Sequence, residues 1–229
     1  MALYAIGDLH LCLGAAKPMD VFGGNWVGYM DKLQEGLSVI QQEDTTVLLG
    51  DLSWALGLEQ AREDFSWINR IPGRKIILKG NHDYWWSTGA KFIQFCALNG
   101  FSDMHILNNN HYEYEDWAIC GTRGWFYEEE RSAAHDEKVF KRELLRLEAS
   151  LMSAGDRPKM VFLHYPPKYK GYECAEILNL FERYQVHRCC YGHLHGPSHG
   201  LAMEGLWDGV EYRLVSADYL DFKPFTVIP

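Results

Sequence analysis

Five short polar blocks punctuate this 229-residue chain in a fixed order: Asp8-Leu9-His10, Gly50-Asp51, Gly80-Asn81-His82-Asp83, His164 and Gly192-His193-Leu194-His195. Most of them follow a short apolar run directly. Leu3–Ile6, Thr46–Leu49, Lys75–Leu78, Lys159–Leu163 and Arg188–Tyr191 have the length and β-branched or aliphatic content of buried strands. In open α/β sheets, functional groups gather beyond the carboxyl ends of strands. A chain whose strands end repeatedly on Asp, His or Asn is therefore expected to bring those ends to one place.

The segments between the runs predict the layers. Tyr29–Gln41 carries Met30, Leu33, Leu37 and Ile40 at helical spacing, Leu58–Asn69 reads as a helix stopping before Pro72-Gly73, and a helix is predicted over about Gly89–Leu98. The first hundred residues thus run β-α-β-α-β-α, which implies a parallel or mixed sheet with covering helices. Met104–Leu107, Tyr112–Tyr114 and Trp117–Cys120 then read as short antiparallel strands. Glu137–Ser153 and Ala175–Gln185 read as helices, and Leu206–Ile228 as two or three strands with a turn at Trp207-Asp208-Gly209. No repeat or linker composition interrupts this pattern, so one domain over residues 1–229 is expected.

Apolar residues make up 47% of the chain and charged residues 23%, enough for a sizeable core. The formal net charge is −9, which disfavours long nucleic acids, whose binding depends on basic phosphate contacts. The six Cys form no CxxC pair and are expected as reduced, mostly buried thiols; Cys189 and Cys190 would point opposite ways in a strand. Met1–Ile6 lacks a signal-peptide pattern and no apolar segment approaches the ~20 residues of a membrane span. A cytoplasmic location without membrane association is expected.

The blocks supply carboxylates, an amide and imidazoles, the donors that intermediate and hard divalent metals take. Each alone has an ordinary reading as a turn, a helix cap or a pair of surface histidines. His193 and His195, two apart in a strand-like run, would project to the same side. All five blocks in order, each after a β-like run, carry more weight than any one of them.

The set D-x-H, G-D, G-N-H-D, H and G-H-x-H resembles the calcineurin-like metallophosphoesterase superfamily, with matching positions from Asp8 to His195. The resemblance implies a four-layer αββα sandwich: two mixed β-sheets flanked by helices, with a dinuclear metal site at the strand ends. It implies that Asp8, His10, Asp51 and His195 hold one metal, that Asp51, Asn81, His164 and His193 hold the other, and that Asp51 is shared. Two divalent ions, with Mn, Fe or Zn as candidates, would clamp the attacking and departing oxygens of a phosphate ester and activate a water between them. His82, the motif histidine left over, would protonate the leaving oxygen or donate to the phosphoryl oxygens. Asp83 would orient His82 or, in the ordinary reading, cap a helix.

One branch of the superfamily, the protein Ser/Thr phosphatases, carries G-D-x-x-D-R-G. This chain has Trp54 and Ala55 where that pattern has Asp and Arg, which argues against protein phosphatase activity and leaves the phosphate clamp unassigned. Arg123, in Gly121-Thr122-Arg123-Gly124-Trp125, is one candidate clamp, the alternative being a surface arginine; Lys79 is another. The segment around Lys17–Gly24 has the length of a loop that covers a site. Trp26, Trp54, Tyr84, Trp85, Trp86, Trp125 and Tyr165 lie near the blocks and are expected mainly to pack loops. Cys12 reads as buried and not a ligand, and His105, His111, His135, His187 and His199 as ordinary histidines. The expected activity is hydrolysis of a small phosphate mono- or diester. A nuclease or a non-catalytic scaffold of the same fold are the alternatives, and the sequence leaves the oligomeric state open.

Overall fold

Period-two alternation along the apolar runs decides the layering. In β1 (Leu3–Ile6), Leu3 and Ala5 point into a cluster lying between two sheets, and Ile6 into a second cluster with the helices. The same split separates Val47 from Leu48 in β2 (Thr45–Leu48) and Ile76 from Ile77 in β3 (Arg74–Ile77). Strands buried on both faces read as continuous apolar runs, which is how these appear in the sequence. The computed structural model describes residues 1–125 and 133–229, with side chains from residue 137 onward in the second part. The reading of His135 as an ordinary histidine lies outside the described side chains.

Among the described residues the first sheet has the order β13-β1-β2-β3-β4. Its outer face is covered by α1 (Tyr29–Leu37), α2 (Arg62–Asn69) and α3 (Gly89–Asn99), through Leu33, Phe65, Phe92 and their neighbours. Thr88 caps α3 by accepting from the Lys91 amide at 3.3 Å, and Gly100 ends it at φ 72. The strands β4 (Met104–Ile106) and β13 (Phe225–Ile228) close the edges.

The second sheet has the order β11-β12-β10-β7-β6-β5, built from β5 (Tyr112–Tyr114), β6 (Trp117–Thr122), β7 (Lys159–Leu163), β10 (Val186–Tyr191), β11 (Gly205–Trp207) and β12 (Val210–Leu214). Two helices, α4 (Ala133–Ser153) and α5 (Ala175–Arg183), cover its outer face. A two-stranded ribbon, β8 (Lys168–Tyr169) and β9 (Tyr172–Glu173), lies between β7 and α5. Ile119, Met160, Phe162, Cys190 and Val215 meet the first sheet in the central cluster. Cys189 and Cys190 fall in different clusters, and all six cysteines are free thiols. The order is therefore helix, sheet, sheet, helix. Each fully buried Leu or Phe in these layers contributes roughly 1.5–3 kcal/mol.

The middle of the chain departs from the sequence reading. β4 pairs parallel with β3 and belongs to the first sheet; antiparallel pairing begins only with β5 and β6. The helix α3 returns the chain for one more parallel strand, so the β-α rhythm runs one unit further than expected. β1, β2, β3 and β4 are mutually parallel, as are β6, β7, β10 and β12. Among the described residues no helix is long and apolar enough to cross a membrane.

Candidate metal centre

Beyond their sheet, the chains leaving β1 and β2 continue side by side. The amides of Asp8, His10 and Leu11 donate to the carbonyls of Gly50, Asp51 and Leu52, each at 2.9 Å, and the Trp54 amide returns to the Leu11 carbonyl at 2.9 Å. This places Asp8, His10 and Asp51 at one end of the sheet. Asp8, His10, Asp51 and His193 all have positive φ, at 60, 47, 50 and 74 respectively. A left-handed non-glycine residue is uncommon and costs of order 1–3 kcal/mol, and such residues cluster where function demands an orientation.

Two glycines make room. A Cβ on Gly192 would lie 2.5 Å from Asp8 Oδ2, and one on Gly80 would collide with the Asp51 amide and Oδ1. The Gly residues of the second-sheet and third-strand blocks thus let the backbone reach the carboxylates.

The ligand atoms come together in two neighbouring groups. Asp8, His10 and His195 form one, with His195 Nε2 3.4 Å from Asp8 Oδ1 and 3.3 Å from His10 Nε2. Around the other, Asn81 Oδ1 lies 2.6 Å from His164 Nε2 and 3.0 Å from His193 Nδ1. Asp51 Oδ2 stands between them, 4.0 Å from His10 Nε2 and 3.5 Å from His164 Nε2. Its Oδ1 accepts the His82 amide at 2.7 Å.

These groups fit cations. His164 Nδ1–H donates to the Leu49 carbonyl at 3.0 Å, so Nε2 carries a lone pair aimed at the oxygens of Asn81 and Asp51. Acceptor facing acceptor is unfavourable without something positive between them. Asp8 Oδ1 is buried and, among the described residues, meets no hydrogen-bond donor within good geometry, its nearest neighbour in the group being His195 Nε2. A divalent ion at each group would give the facing lone pairs a positive partner, and Asp, Asn and His are donors that such ions take.

The titration of the side chains says the same. Burial raises the Asp8 carboxyl, but His195, His164 and His10 outweigh it and hold it well below the usual carboxylate range. Burial, then Asp83 and Asp8, push Asp51 well above that range. Burial lowers His10 well below its usual value and His164 below its own; with His164 nearby it takes His193 down to about 3. Burial also lowers His195, yet Asp8 and Asp218 prevail and raise it to about 10. A proton on His195 therefore occupies the place a metal would take.

Several neighbours of this centre carry no sequence motif. Asp218, buried, accepts from His195 Nδ1–H at 2.8 Å through Oδ1 and from the Gly196 amide at 3.1 Å through Oδ2, and His199 Nε2 lies 3.2 Å from that same Oδ2. His195, His199 and Asp218 together are a third group of potential metal donors, so His199 is not the ordinary histidine that the sequence suggested. Asp218 follows β12, whose extension crosses to the first sheet: the Gly7 amide donates to the Val215 carbonyl at 2.8 Å and the Ala217 amide to the Gly7 carbonyl at 3.0 Å. Its place after a strand parallel to β10 was the one available signal. Trp54 stacks on His10 at 4.8 Å and 19°, Trp26 meets His10 and His195 edge-on, and Tyr165 packs on His193 at 4.5 Å. Cys12 is half-buried and contacts the Tyr29 hydroxyl at 3.4 Å.

Two expected roles change. Asp83 does not turn toward the His82 ring. Its carboxylate accepts the amides of Gly80, Asp51 and Leu52 at 2.7, 2.8 and 2.9 Å and the Trp85 indole N–H at 2.8 Å. The partner of His82 Nδ1 is the Tyr84 hydroxyl, at 3.2 Å. The Arg123 guanidinium lies 3.6 Å from the Glu143 carboxylate and over the Trp125 ring, while its carbonyl accepts the amides of His164 and Tyr165 at 3.1 and 2.9 Å. It positions the fourth block through its backbone, with its side chain already engaged. Lys79 shares that acidic and basic neighbourhood with Glu143, Arg123 and Arg146.

Residues 1–197 match the calcineurin-like phosphoesterase family. The chain belongs to that family. A calcineurin-like phosphoesterase is a hydrolase of phosphoester bonds, and the family usually binds two divalent metals, for which this chain has Asp and His groups in place. No curated protein matches it in sequence. Solved structures do match in fold. The phosphopantetheinyl hydrolase of Mycobacterium tuberculosis superposes with a TM-score of 0.62 at 17% identity, over 100% of this chain and 96% of that one. A protein of unknown function from Aquifex aeolicus gives 0.55 at 18%, over 98% and 95%. A Thermus thermophilus protein gives 0.54 at 13%, over 99% and 97%.

Proposed function

We propose that this calcineurin-like phosphoesterase hydrolyses a small phosphate mono- or diester, with Asp8, His10, Asp51 and His195 holding one cation and Asp51, Asn81, His164 and His193 the other. The observation that carries this reading is the pair of acceptor clusters facing each other across Asp51 Oδ2. Bound there, divalent ions would lower the pKa of water and offset charge on the phosphoryl oxygens. Asp218 fixes the tautomer of His195 and the Leu49 carbonyl that of His164, so each ring presents Nε2.

His82 stands half-buried beside these clusters. Burial, His164 and Lys17 take its pKa down to about 4, so it is a neutral ring at pH 7. With the Tyr84 hydroxyl on Nδ1, Nε2 is the N–H left for substrate. In this state it donates to a phosphoryl or leaving oxygen. An arriving phosphate brings negative charge that favours the protonated ring, from which the leaving oxygen takes its proton.

The test is a panel of aryl phosphate mono- and diesters, with metal content measured on the same samples and Mn²⁺ added after chelator stripping. Because the Mycobacterium tuberculosis neighbour is a phosphopantetheinyl hydrolase, a phosphopantetheinyl compound belongs on the panel. Metal uptake with turnover that chelator abolishes supports the proposal. Failure to hold any divalent metal, or no turnover of any ester by loaded protein, overturns it. The formal charge of −9 favours a small substrate over a polyanion; tight, salt-dependent binding of DNA or RNA would replace this reading with a nuclease.

A further inference from the structure

One exposed cation beside the centre, Lys17, rests on an aromatic ring. Lys17 lies in the segment between the first block and α1, where the Lys17 amide turns back to the Ala15 carbonyl at 2.9 Å. Its ammonium sits 3.1 Å from the centre of the Trp54 ring. The same ring also touches the centre: it stacks on His10 and packs 4.7 Å from His82. The Trp54 indole N–H donates to Met19 Sδ at 3.3 Å, and Met19 is buried two residues after Lys17, so the segment carrying the lysine is anchored at the tryptophan.

Two other cations near the centre, Arg123 and Arg146, are engaged by one carboxylate, and Lys79 is half-buried among them. Arg123 faces Glu143, and Arg146 donates to the same carboxylate at 2.6 Å. Among the described residues Lys17 forms no ion pair; an aromatic face takes its place. Cation–π contact orients an ammonium without using up its N–H donors, and Lys17 is exposed, so those donors meet solvent at the rim of the site. Ala55, the residue after the platform, offers no charge.

We propose that Lys17, held over Trp54, is a substrate-binding residue that donates to the non-bridging phosphoryl oxygens of the ester. The inference rests on the phosphoesterase reading and adds to it the group that grips the phosphate outside the metals. It requires no bond to form or break at the lysine.

The experiment uses the full, metal-reconstituted chain and inorganic phosphate as the probe, read both by calorimetric binding and by inhibition of aryl phosphate hydrolysis. Lys17→Ala should weaken phosphate about ten- to a hundredfold, the range for a hydrogen bond to a charged group. KM for the ester should rise more than kcat falls, with metal content unchanged. Lys17→Arg should recover most of the affinity and Lys17→Gln should not. Unchanged phosphate affinity in a metal-loaded Lys17→Ala protein, or a Lys17→Gln protein equal to wild type, overturns the inference and leaves the phosphoesterase reading standing. Wild-type protein that takes up no metal and turns over no ester overturns both.

Discussion

His195 shows how one residue couples the proton and metal equilibria. Asp8 and Asp218 together raise it to about 10 against the effect of burial, so at pH 7 the metal-free protein holds a proton there. A ligating imidazole is neutral, so uptake of the first metal must expel that proton, and affinity should climb as pH rises toward 10. Calorimetry in buffers of different ionisation enthalpy should show about one proton released with the first metal at pH 7.5; no release would contradict this assignment. Asp218→Asn keeps the shape and removes the charge. It should weaken metal retention about ten- to a hundredfold in chelator competition. Asp83 makes a contrasting prediction. Its carboxylate satisfies the amides of Gly80, Asp51 and Leu52, and each buried amide left unpaired costs about 1–3 kcal/mol. Asp83→Ala should therefore cost at least about 3 kcal/mol in denaturant unfolding. A variant of full stability with an altered pH profile would return Asp83 to the role of orienting His82.

Elements set the precision of the site. The parallel run of Asp8–Leu11 beside Gly50–Leu52 extends strand pairing past the sheet, and Asp64 on α2 reinforces it, accepting the Leu13 amide at 2.7 Å and the Ser53 hydroxyl. Ligands carried by paired backbone can hold left-handed φ values that a free loop would relax. The close approach of Gly192 to Asp8 leaves little tolerance. Gly192→Ala should fold, retain its far-ultraviolet circular dichroism and bind the first metal weakly; metal content equal to wild type would show that Asp8 can yield. Gly80→Ala should be worse, because its Cβ meets backbone as well as the Asp51 carboxylate.

At the scale of the whole molecule, Asp8, Asp51 and Asp83 are buried close together at the junction of two sheets, which is costly without compensating positive charge. Metal binding to the folded state alone stabilises it by about 2.7 kcal/mol when free metal is about a hundred times the dissociation constant. Chelator should accordingly lower the unfolding temperature, and re-addition of Mn²⁺ should restore it. A melting curve indifferent to chelator would mean that the centre holds no cation under those conditions. The two sheets share one central cluster through Leu3, Val47, Ile76, Phe162 and Cys190, so loosening of the centre should be felt across both halves of the sandwich.

Much of this was legible in the linear chain because strands and their ends are local features. A short apolar run marks a buried strand, the residue after it marks the strand end, and parallel order brings such ends to one side. The αββα layering and the gathering of Asp8, His10, Asp51, Asn81, His164, His193 and His195 follow from those local rules together with the family resemblance. The sheet to which β4 belongs was not legible, because an edge strand of three residues has the same pattern in either pairing. Nor were Asp218 and Tyr84 marked by any motif. Lys17 was noted only as part of a covering segment, and Asp83 and Arg123 were assigned to tasks the fold gives to others. Sequence alone determined which residue types the strand ends would carry, since that depends on neighbours along the chain. Tertiary structure decided which atom each of them faces, since hydrogen-bond direction and ion pairing depend on partners far away along the chain.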